Sequence, residues 1–180
     1  MAEPFNPPEG LRRIVTCNDG NGRSHILLDG PPAQTHEVAG LHEIWTDAAS
    51  GPIDARETID RGTGRVELSP PAGGVKIRWF VTRPQPEEIP AGEFARFFRA
   101  AFEDIGAGDH QPDTTRHSAM HATHTIDAII LIRGEVRLLL DDDETVVRPG
   151  DVVVQRATNH AWVVEGEEPA LFVAVLVDRS

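Results

Sequence analysis

The stretch MHATHTID (120–127) holds two histidines, two threonines and an aspartate; His117 lies just upstream and the apolar run AIILI follows at once. Imidazoles and carboxylates bind divalent metals and move protons near neutral pH. On a strand, residues of equal parity share a face. His121, Thr123, Thr125 and Asp127 then point one way, and Ile129 and Leu131 continue that face. His124 has the opposite parity and reaches the same side only through a bulge.

A second candidate lies far along the chain in PGDVVVQRATNHAWVV (149–164), where His160 opens a strand that carries Trp162 and Val164 on the same face. His121, His160 and Asp127 converging inside a barrel make a two-His-one-carboxylate site, a donor set suited to Fe(II), Mn(II) or Zn(II). His124 is the candidate proton-transfer group or fourth ligand. Thr123 and Trp162 are candidate substrate contacts. Arg78 in VKIRWFV could anchor a substrate carboxylate with its fork of donors, the alternative being a surface position. His117, His121 and His124 fall at i, i+4 and i+7 of a helix, but the β-branched run from 123 to 126 opposes a helix there.

The elements that position these residues are mostly short strands. In the first half, LRRIV (11–15), SHILL (24–28), LHEIW (41–45), RVELS (65–69) and VKIRWFV (75–81) read as strands between Gly- and Pro-rich turns. Residues 46–64 are polar and aperiodic and read as a long surface loop. In EFARFFRAAFEDI (93–105), Phe94, Phe97, Phe98, Ala101, Phe102 and Ile105 recur at helical spacing, ended by Gly106 and Gly108. That spacing predicts an amphipathic helix whose phenylalanines pack into the core rather than line a pocket. From 126 onward, strands alternate with RG, DDDE, RPG, RATN and EGEEP, the pattern of an antiparallel sandwich or barrel. Several of these strands are apolar on both faces, so something must cover the outside: the N-terminal strands and the helix, or a second subunit. A homodimer is expected on that ground.

A length of 180 residues suits one domain with a proper core. The formal charge of −12 argues against nucleic acid and anionic membrane surfaces as partners. Cys17 is the sole cysteine, which excludes an intrachain disulfide framework. The start MAEPFNPPEG shows neither a basic nor an apolar leader segment, so a cytoplasmic location is the expectation. There is no P-loop, Rossmann glycine pattern or Gly-x-Ser-x-Gly elbow, and GAGD (106–109) reads as a helix terminus.

From about 115 to 178 the chain resembles the cupin superfamily, small jelly-roll barrels with two metal-binding motifs. His121, Asp127 and Gly134 fall on the first His, the acid and the Gly of the first motif; Pro149, Gly150, Asp151 and His160 fall on the second, with Ala157 at its second Gly. Thr123 stands where the first motif has its second His, Asp127 replaces the usual Glu, and Val164 the usual Asn. His-x-Thr-x-Thr-x-Asp resembles a subgroup of small single-domain cupins, some encoded among secondary-metabolite enzymes. The resemblance implies an all-β cupin double-stranded β-helix with extra N-terminal strands and one helix, as one domain over 11–180 after an arm at 1–10. It implies a metal-dependent enzyme acting on a small organic acid, enol or polyketide-like carbonyl compound, by lyase, isomerase or Fe(II) oxygenase chemistry. The alternative is a non-catalytic cupin that binds a small ligand as sensor or carrier.

Overall fold

The computed structural model describes residues 10–48, 51–85, 89–164 and 166–180. The arm expected at 1–10 lies almost wholly outside them. Among the described residues no helix is long and apolar enough to cross a membrane.

The first half forms β1 (Arg13–Asn18), β2 (Ser24–Gly30), β3 (Gln34–His36), β4 (Leu41–Asp47) and β5 (Val75–Thr82), followed by the helix α1 (Ala91–Asp104) and a 3₁₀ turn at Gly108–His110. The second half forms β6 (Thr125–Arg133), β7 (Val136–Leu139), β8 (Glu144–Val147), β9 (Val152–Arg156), β10 (Ala161–Val164) and β11 (Ala170–Asp178). Strands β1 and β2 form a separate hairpin, while a six-stranded sheet in the order β3-β4-β5-β11-β6-β9 faces a three-stranded sheet, β10-β7-β8. All pairings are antiparallel, as the short strands and tight turns predict.

The core sits between the two sheets. Leu131 and Phe172 from the large sheet meet Val136, Leu138 and Trp162 from the small one. Leu131, Val136 and Phe172 are fully buried, each worth about 1.5–3 kcal/mol relative to exposure. Gly134 turns β6 into β7 at φ +88°, and a Cβ there would stand 2.9 Å from Ala170 Cα, so only glycine fits. Ala157, at the place of the second motif's Gly, takes φ +52° and is the sole non-glycine residue at positive φ among the described residues. The left-handed backbone of that turn is kept although the glycine is not.

Two expectations are corrected. RVELS (65–69) is not a strand. Its backbone is taken up elsewhere: Leu68 N donates to Ile105 O at 2.9 Å, and the Glu67 carbonyl accepts from Lys76 Nζ and from Arg78 Nη2. The helix forms as predicted, but its phenylalanines do not all enter the core. Phe102 and Ile105 pack with Leu41 and Val66, whereas Phe97 is 49% exposed.

The outer face of the large sheet stays open. Ile126, Ile132, Val152, Val154 and Val177 are all exposed there, while their inward neighbours Asp127, Ile129, Leu131 and Leu176 are buried. Helix α1 instead lines the cavity on the inner side. We propose that a second copy of the chain covers this face, because a contiguous apolar sheet surface with Arg156 only at its rim matches itself across a two-fold axis. Light scattering is expected to show a dimer at micromolar concentration, and a Val154→Asp, Ile126→Asp double variant a monomer. A monomeric wild-type protein overturns the proposal.

Candidate active site

His121 precedes β6 and His160 precedes β10. The two form an isolated antiparallel bridge, each backbone N–H donating to the other's carbonyl at 3.0 Å. Their side chains therefore lie side by side, with ring centroids 4.4 Å apart. His121 Nδ1 bonds Ala119 O at 3.0 Å and His160 Nδ1 bonds Thr158 O at 2.9 Å. A carbonyl only accepts, so each Nδ1 carries the hydrogen and each Nε2 presents a lone pair. Burial lowers the pKa of His121 to about 4 and, with the neighbouring imidazole adding to it, that of His160 to about 3. Both rings are neutral at physiological pH.

These rings close the polar end of a cavity of about 570 Å³. Thr123, Asp127 and Trp162 also line it, so these three and the two histidines stand where the parity argument puts them. Thr123 Oγ1 lies 2.5 Å from Thr125 Oγ1, and the Thr125 hydroxyl in turn bonds the Asp127 carboxyl. Burial raises Asp127 to about 6, against the opposing pull of that bond and of the Arg78 charge. The alternation His-x-Thr-x-Thr-x-Asp thus becomes a row of polar groups on one strand face, joined by hydrogen bonds from Thr123 to Asp127.

His124 is exposed. Its parity holds, no bulge turns it inward, and the proton-transfer or fourth-ligand role expected of it is not available from there. His117 also stays off the pair; its ring packs edge-on against Phe94 and Phe98 of α1, each with centroids 6.2 Å away.

Arg78 is not on the surface. It is 2% exposed at the cavity floor, and its Nη2 lies 2.8 Å from a carboxylate oxygen of Glu43, itself buried. Glu43 and Arg78 are register partners across β4 and β5. The guanidinium has a carboxylate partner, while its Nε and Nη1 are buried without a hydrogen-bond partner. The alternative of a surface position is corrected to a buried ion pair at the cavity floor. Lys76 shares this face, donating to Glu67 O at 2.6 Å, and burial lowers it to about 8.

Several cavity residues were assigned elsewhere from the sequence. Phe94, Phe97, Phe98 and Phe102 roof the cavity, and Phe80 lies on its wall. The available signal was the width of the α1 stripe, since five apolar stripe positions on a fourteen-residue helix, continued by Ile105 at its C-cap, exceed what one sheet contact needs.

The two-His-one-carboxylate set is not assembled. Among the described residues, no three His, Cys, Asp or Glu side chains converge closely enough to hold a metal ion. Asp127 pairs across the sheet with Gln155 and Leu176, six residues along the strand from His121. Two imidazole nitrogens fall one short of the three protein ligands of a catalytic zinc site, so the residues present do not fit that centre. Thr123→His would add an imidazole next to the pair. Metal affinity, read by calorimetry with Zn(II) and Mn(II), is expected to rise about tenfold or more, since even outer partners of metal ligands are worth about 10–100-fold. Unchanged affinity would show that wild type already holds a complete site.

A family model described as "Cupin domain" matches residues 108–176. The chain is 42% identical over 179 residues to the cupin-domain-containing oxidoreductase virC of Hypocrea virens, covering 96% of this chain and 79% of that one. It is 33% identical over 155 residues to phomopsin biosynthesis cluster protein C' of Diaporthe leptostromiformis, covering 83% and 68%. Among solved structures, a cupin 2 conserved barrel domain protein from Salinispora arenicola is 20% identical, covering 71% of this chain and 91% of that one, with a TM-score of 0.38. With the two motif halves brought together at His121 and His160, and relatives of this identity along most of its length, the chain belongs to the cupin family.

Proposed function

We propose that this cupin is an enzyme of small-molecule biosynthesis that moves a proton on an enolisable carbonyl compound. One observation carries the reading: two neutral imidazoles with fixed tautomers end a cavity that the Asp127 carboxyl, raised by burial to about 6, also lines. The relatives named as an oxidoreductase and as a biosynthesis-cluster protein support an enzyme of small-molecule biosynthesis; the proton chemistry is read from the cavity alone. The paired Nε2 lone pairs accept a hydrogen bond from the enol or phenol hydroxyl of the head group and hold it against the Phe102 and Trp162 rings. Asp127, as its carboxylate, takes the proton from the carbon beside the carbonyl. The enolate oxygen gains its proton from water, and the enol hydroxyl so formed donates to an Nε2 lone pair. The reverse steps return a proton from Asp127 to carbon, which a carboxyl with a pKa near working pH suits. The Thr123 and Thr125 hydroxyls join Asp127 in one hydrogen-bonded row along the strand face.

Cupins commonly bind a metal, and a divalent ion here would find two imidazole donors. As they do not fit a three-ligand centre, no step above is routed through an ion. The missing third donor also favours a second reading, a cupin that binds its ligand without turnover.

The test is deuterium uptake by 2-tetralone, an apolar bicyclic ketone, followed by NMR in deuterated buffer. Wild type is expected to accelerate exchange, with the rate rising as pH passes upward through about 6, because the base form of Asp127 is its carboxylate. Asp127→Asn is expected to lose about 10²–10⁴-fold, the usual worth of a positioned acid–base group. Thr125→Val should slow exchange less. Binding of the ketone with no exchange would establish the second reading instead.

A further inference from the structure

The cavity is larger than a head group needs; His121, Thr123, Asp127 and His160 lie at its inner end, while the exposed Glu37, Arg83, Gln85 and Glu93 line its outer end. From the inner end it runs beneath α1. Phe102 lies 4.9 Å from His121, Phe98 follows one turn toward the helix start, and Phe94 packs edge-on to Phe98 at 4.7 Å. Eight residues of helix separate Phe94 from Phe102, a length of ~12 Å. The far end opens at Val38, Ile89 and Phe97, which are 62%, 42% and 49% exposed. A lining of phenylalanines that runs this far from the polar end to a mixed mouth is costly to leave in water. It is a surface shaped for part of a ligand.

We propose that the Phe-lined channel under α1 is a second subsite, which takes an extended apolar chain of the molecule whose hydroxyl head donates to the imidazoles. The substrate is then an amphiphile: a polar head at His121 and His160, and a hydrocarbon tail of ~12 Å leading to the mouth. Ala101, the small residue between the phenylalanines on the channel face, leaves the width the tail needs. His117 supports the roof from behind through its contacts with Phe94 and Phe98. This assignment rests on the head-group reading above, but concerns different residues.

The probe is a series of 4-alkylphenols from ethyl to octyl, with affinity read by calorimetry. Each added methylene is expected to tighten binding about fourfold, until the chain passes Phe97 and the gain stops. Ala101→Trp, which fills the channel, should weaken the long members at least tenfold and leave 4-ethylphenol nearly unchanged. Phe97→Ser, at an exposed position safe for folding, should weaken only the longest members. Affinity independent of chain length overturns the proposal, as does an equal loss for ethyl and octyl compounds in Ala101→Trp. Asp127→Asn keeps the two readings apart: it should abolish deuterium exchange and preserve the chain-length dependence. A flat series with intact exchange rejects the channel alone; a graded series without exchange rejects only the proton chemistry.

Discussion

Two backbone hydrogen bonds between His121 and His160 hold the site together, and most of its properties descend from them. His121 leads into the six-stranded sheet and His160 into the three-stranded one, so the bridge staples the two sheets at the end where the cavity lies. A directly paired couple presents its side chains on one face, which puts the imidazoles in contact without a metal to gather them. The backbone around the bridge also supplies the carbonyls of Ala119 and Thr158 that fix both tautomers. Protonating either ring would place a charge in an apolar pocket beside a second imidazole, hence the depressed pKa of each.

The inner face of β5 is governed by a different balance. Lys76 and Arg78 point inward, and Val75, Ile77 and Trp79 point out. Burying two cations is expensive, and the cost is offset by Glu43 at 2.8 Å and by the Glu67 carbonyl, which has left any ladder to accept from both. The same arrangement explains two departures from expectation, the absent strand at 65–69 and the buried Arg78. It also leaves the apolar parity of β5 facing outward, which extends the open sheet face of β6 and β9.

Much of the barrel was legible because its signals are local. The turns at Gly134 and Gly150 need positive φ, alternation marks β6, and the spacing of Asp127 and Gly134 places the first motif. The inward parity of His121, Thr123 and Asp127 follows from a strand period of two, and so does the outward position of His124. What could not be read is non-local. Whether Lys76 and Arg78 or their apolar neighbours face the core depends on Glu43, a residue more than thirty positions away. Whether the α1 phenylalanines meet a sheet or a cavity depends on how far the helix stands from the barrel, which no helical periodicity reports. Asp127 does not join the histidines in a ligand group because it lies inside β6, paired with Gln155 and Leu176, whereas the bridge lies ahead of that strand.

Thr123 unites these threads. A histidine there would stand beside the pair as a third nitrogen donor. The threonine instead gives its hydroxyl to Thr125, which passes the bond to Asp127. The strand face that would gather donors round one point becomes a line of hydroxyls ending in a buried acid. A carboxylate drawn onto a cation would be held ionised, whereas one left in an apolar wall, with Arg78 engaged elsewhere by Glu43, keeps its proton to about pH 6. In the proposed proton transfer, the threonine that stands where the motif has a histidine is thus also the residue that leaves Asp127 free to act as an acid and a base.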